Sequence, residues 1–104
     1  MAQFAERVVT DQAEIERIKA MILVLDEEAR VEVELDDGRV LTGAVAIKPT
    51  LQMFHDPQGN EGTNGVLRLD DALEPEKPHF IPLASIRRVR RLEPDQHTIL
   101  RRED

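Results

Sequence analysis

Residues 31–43 read Val31-Glu32-Val33-Glu34-Leu35-Asp36-Asp37-Gly38-Arg39-Val40-Leu41-Thr42-Gly43. Apolar residues alternate with glutamates up to Leu35. A period of two is the mark of a strand with one buried face. Asp36-Asp37-Gly38 interrupts the pattern, and Asp-Gly between apolar alternations closes a hairpin. The return strand runs from Arg39 to Ile47, with Leu41, Gly43, Val45 and Ile47 on one face. Gly43 inside it predicts a bend or a close backbone approach.

Upstream, Asp11 with Glu14 three residues later fits a helix cap. Ile15, Ile18, Ile22 and Leu25 then follow at spacings of three and four, so a helix is expected over about 12–25. Its stripe either closes one end of the core or forms a two-helix seam, although two heptads are too few for a coiled coil alone. Residues 1–9 show no period and read as an irregular or extended lead-in. Downstream, Leu51–Phe54 resumes a strand. Asp56-Pro57-Gln58-Gly59-Asn60 is turn chemistry, and Gly59, Gly62 and Gly65 punctuate a hairpin. Val66, Leu67 and Leu69 give another strand, ending at Asp70-Asp71. Residues 73–78 form a Pro- and Glu-rich loop. Phe80 to Leu92 reads as one last strand with Pro82 near its start, and 93–104 as a polar tail. About five short strands in so small a span must curl on themselves to bury a core, which makes a small closed or partly open barrel.

The chain has 104 residues, enough for one domain. It has no Cys, Trp or Tyr and three Phe. Disulfide frameworks, thiol nucleophiles and Cys-ligated zinc are excluded, and a sheet of stacked aromatics for RNA is disfavoured. The longest apolar run, Ala20–Leu25, is too short to span a bilayer. The first residues carry neither a basic nor an apolar signal region, so a cytoplasmic location is expected. Net charge is −7. Residues 1–86 hold 8 Lys/Arg against 17 Asp/Glu, a net of −9; residues 87–104 hold 6 Arg against 4 Asp/Glu, a net of +2. The body repels nucleic acid at long range, and only the end attracts phosphate.

The 31–43 segment resembles the first signature of the Sm-like family: alternating apolar residues, an acidic-Gly turn, then an apolar residue and a Gly on a bent second strand. Asn64-Gly65-Val66-Leu67-Arg68-Leu69-Asp70 resembles that family's Asn-led third strand, and Ile81-Pro82-Leu83-Ala84-Ser85-Ile86 the start of its fifth. A helix before the barrel is also a family trait. The resemblance covers residues 10–92 and implies a mainly β fold: an N-terminal helix, then a strongly bent five-stranded antiparallel Sm-like (SH3-like) barrel over about 30–92. It implies a non-catalytic, RNA-associated role in RNA metabolism or translation. Two departures stand out. In the family a flat side chain precedes the Asn and helps form a base pocket, whereas here Asn60-Glu61-Gly62-Thr63 precede Asn64. Pro82-Leu83 replaces the family's Arg-Gly pair. Asn64 remains the base-pocket candidate.

Arg87, Arg88, Arg90 and Arg91 are the phosphate candidates, because arginine binds phosphate without reading sequence. The alternative is that they neutralise the acidic helix and first strand. His55, His79 and His97 share no metal-ligand spacing, and no nucleophile–base set is legible, so neither metal, cofactor nor catalysis is expected. A protein-interaction or oligomerisation module without nucleic acid is the competing function. A homo-oligomer is expected, a dimer rather than a ring of six or seven. Family rings pair the fourth strand of one subunit with the fifth of the next, and Pro82, placed at the start of that fifth strand, removes a donor.

Overall fold

The computed structural model describes residues 3–92. The first strand is β1, Gln3–Phe4. Helix α1 runs Gln12–Ile22, capped by Asp11, whose Oδ2 accepts from the Glu14 N–H at 3.0 Å. The helix ends three residues before the expected limit. Leu23, Val24 and Leu25 continue as tight turns bonded to Ala20, Met21 and Ile22, and this keeps Leu25 on the apolar stripe. Lys48 makes the stop possible despite the nearby acids. Its Nζ donates to the Ile22 carbonyl and to Asp26, both at 2.9 Å, placing a cation at the negative helix end.

The strands that follow are β2 Arg30–Leu35, β3 Val40–Ile47, β4 Gln52–His55, β5 Glu61–Asn64, β6 Val66–Asp71, β7 Pro78–Pro82 and β8 Ile86–Arg91. Five of them make one antiparallel sheet in the order β7-β6-β3-β2-β8. Its buried face carries the core, with Ile18, Leu25, Val31, Val33, Leu67, Leu69, Leu83 and Ile86 fully enclosed. The signature hairpin forms as read. Leu35 N–H donates to Arg39 C=O, and Gly38 takes φ +91°, a left-handed value open to glycine without strain. At Gly43 a Cβ would collide with the Asp70 carbonyl on β6, so the glycine marks a close backbone approach.

Two expectations are corrected and a third is narrowed. The stretch 80–92 is not one strand. β7 pairs with β6, β8 pairs with β2, and a 3-10 turn at Leu83–Ser85 makes the corner between them. Leu83 and Ala84 are buried at that corner. The chain has to change partners there, which a straight strand cannot do. Pro82 therefore closes β7 and does not open the last strand. The strand count also rises, because the β4–β5 hairpin leaves the main sheet and forms a second one with β1, in the order β1-β4-β5. Its turn is built by Asp56, whose Oδ1 accepts from the N–H groups of Gln58 and Asn60. Lastly, the lead-in takes the extended form in part. β1 lies parallel to β4, and Val9 bridges Thr63 with reciprocal 2.8 Å bonds and is buried. The tail 93–104, with His97, lies outside the described residues.

Candidate functional site

Two edges end the large sheet, and the candidate arginines line one of them. β8 sits opposite β2 with Arg90 facing Glu32 and Arg88 facing Glu34, and a bulge falls between Glu34 and Leu35. β2's alternation supplies the carboxylates: its apolar residues point inward, so its glutamates share the outer face with Arg88 and Arg90, while Arg91 sits opposite Val31. Arg88 lies 2.9 Å from Glu34, Arg87 3.6 Å from Glu34, and Arg90 3.2 Å from Glu32. Arg87 also donates to the Asp36 carbonyl at 3.0 Å. Arg91 reaches Asp26 at 3.3 Å. Each arginine thus has an acidic partner in its own chain, while its side chain stays between 50% and 76% exposed. Exposed pairs of this kind contribute about 0–1 kcal/mol, so a competing anion can displace them.

Among the described residues no strand pairs with the outer side of β8. Leu92 N–H donates to Arg30 C=O. Antiparallel bonding alternates, so Arg90 and Arg88 bond β2 while Val89 and Arg91 turn their N–H and C=O groups outward.

Asn64 ends β5 and is 1% exposed. Its Nδ2 donates to the Arg7 carbonyl at 2.8 Å, and its Oδ1 accepts from the N–H groups of Gly65 at 2.8 Å and Ala84 at 3.0 Å. The amide therefore joins the N-terminal segment, the start of β6 and the corner before β8, and its polar atoms are all engaged with protein. Arg7 is the residue that sequence reasoning missed. Its carbonyl covers the Asn64 amide and its guanidinium pairs with Asp36 at 3.3 Å, yet nothing in its local sequence signals either contact.

The histidines pair across strands: His55 Nε2 lies 3.1 Å from Glu61, and His79 Nε2 3.0 Å from Asp71. Among the described residues no three His, Asp or Glu side chains converge as metal ligands. A groove of about 670 Å³ lies between the signature hairpin and β7 and is walled by Asp36, Arg39, Leu41, His79 and Phe80. Among the described residues no helix is long and apolar enough to cross a membrane.

Several carboxyls are held below their ordinary values: Glu14 by the Arg17 hydrogen bond, Asp26 chiefly by Lys48 and also by Arg91, Asp37 by the Arg39 backbone, Asp56 by Asn60, and Asp71 by His79. A pKa lowered on folding contributes stability that is complete above the ordinary carboxyl range and is lost as pH falls through the lowered values. Melting temperature is thus expected to hold near pH ~6 and to fall progressively below pH ~4. An unchanged melting temperature at pH ~3 would show that these pairs do not hold the fold.

Comparison with known proteins adds the following. A family model described as "Domain of unknown function (DUF3247)" matches residues 2–92. The crystal structure of XC5848 from Xanthomonas campestris, described as adopting a novel variant of Sm-like motif, superposes with a TM-score of 0.83 at 38% sequence identity. The match covers 89% of this chain and 100% of that one. No curated protein matches.

Proposed function

We propose, for a chain that belongs to the DUF3247 family and has an Sm-like fold, that it is a non-catalytic binding domain acting on RNA in the cytoplasm, in RNA metabolism or translation, and that it holds RNA by phosphate. One observation carries the reading: Arg87, Arg88, Arg90 and Arg91 stand along a single open edge strand with their guanidinium groups reachable from solvent. Phosphate contacts position a nucleic acid without specifying its sequence. Asn64, with its amide committed to three backbone groups, is not the reader of a base. Binding is therefore weak, indifferent to sequence and sensitive to salt.

Fluorescence anisotropy with oligo-U, oligo-A and a mixed oligonucleotide tests this. At most four phosphates are neutralised, so the log–log salt slope is expected to be no steeper than about −3. Arg88→Glu/Arg91→Glu is expected to abolish binding. Strong preference for one homopolymer would demand a base pocket and overturn the reading. A second reading, a protein-interaction module without nucleic acid, is favoured by the acidic partner that each arginine already has. RNA binding unchanged in the double variant would show that the arginines serve the fold instead, and no RNA binding by parent or double variant would favour the second reading.

A further inference from the structure

The opposite edge of the large sheet, β7, is built differently from β8. Leu83 N–H donates to Gly65 C=O and Asp71 N–H to Lys77 C=O. These fix the bonded pairs of the β6–β7 ladder, so Pro78, Phe80 and Pro82 are the β7 residues whose backbone faces outward. Two of the three lack an N–H. A strand arriving here finds one donor, Phe80, flanked by prolines, and proline is a known guard of sheet edges.

Beside this guarded edge lies apolar surface that the described residues leave exposed. Phe80 is 64% exposed, Phe4 69%, Ile47 64% and Val66 47%. Together they offer on the order of 450 Å² of apolar area, a size at which a surface patch is often functional. About 56–58% of a typical interface is non-polar, and one side buries about 800 Å². The patch plus a polar rim thus matches one side of a standard interface. Ile47, Pro49, Phe54, Val66 and Phe80 line a groove of about 400 Å³. The rim cations Lys48 and Arg68 are already paired, with Asp26 and Asp70, so the surface is locally near neutral despite the acidic body.

We infer that this face is where a second copy of the chain packs, about a two-fold axis that seats each Phe80 in the other's groove. Phe80 is a wall of the hollow and still 64% exposed, so each copy offers both a projecting ring and a recess, and a two-fold interface needs one such patch used twice. The prolines direct the contact to side-chain packing and away from sheet extension, so association stops at two. This deepens the homo-oligomer expectation and does not depend on RNA binding, since β8 lies at the far edge and stays free.

Light scattering and sedimentation equilibrium over a concentration series test it. The parent is expected to show a mass of two chains. Phe80→Asp and, independently, Ile47→Glu are expected to raise the dissociation constant at least about tenfold. Both positions are exposed, so far-UV circular dichroism should not change. Arg88→Glu/Arg91→Glu is expected to lose RNA and remain a dimer, which separates the two proposals. A parent that is one chain at every concentration, a mass of six or seven chains, or dimers that survive both patch variants would overturn the inference.

Discussion

Ile18→Asp is expected to unfold the protein or to cost at least about 3 kcal/mol of stability. Ile18 is fully enclosed in the middle of α1, against the inner face of the large sheet. An aspartate there buries a charge with no partner and empties the space of an isoleucine. Small domains hold only about 5–15 kcal/mol in reserve, so this is a large fraction of the total. Ile22→Asp should cost less, because Ile22 is only half-buried and can turn its carboxylate towards water. Urea melts followed by far-UV circular dichroism measure both. If Ile18→Asp melts within a degree or two of the parent, the helix does not close the core.

The second large effect is at Asn64. Asn64→Ala leaves the buried N–H groups of Gly65 and Ala84 and the Arg7 carbonyl without their partner. Each orphaned group costs about 1–3 kcal/mol, so the variant is expected to lose at least about 3 kcal/mol. Asn64→Asp keeps an acceptor for the two N–H groups but sets a carboxylate against the Arg7 carbonyl, and it should also destabilise. RNA binding by whatever fraction stays folded is expected to match the parent. A variant as stable as the parent but deficient in RNA binding would return Asn64 to the role of base reader.

Short-range chemistry was legible in the sequence. The Asp11 cap, the helical stripe, the Asp36-Asp37-Gly38 hairpin and the close approach at Gly43 follow from spacing and from residue types that act within a few positions. The Sm-like resemblance added the barrel. What escaped depends on distant partners. The corner at Leu83–Ser85 exists because β7 belongs to β6 and β8 to β2, and no local period between 80 and 92 records a change of partner. The β4–β5 turn was plain, but its union with β1 rests on a pairing about fifty residues apart. The arginines announced themselves, and their alternative role was foreseeable once the glutamates of β2 were assigned to the outer face. Asn64 gave no local clue, since its role is set by Arg7 and Ala84.

That last arrangement bears on how the chain reaches its fold in time. One side chain ties positions 57 residues apart on one side and 20 apart on the other. Such a junction cannot be an early event. The entropy of closing each loop must be spent before its bond is gained, and topologies rich in distant pairings fold on the slow side of the range for small domains. During synthesis β1 and Val9 can pair with β4 and Thr63 once those have emerged, but residue 84 must have left the ribosome before the junction at Asn64 is complete. Until then the sheet that covers the apolar stripe of α1 lacks β8, and the nascent chain is most exposed to aggregation in that interval.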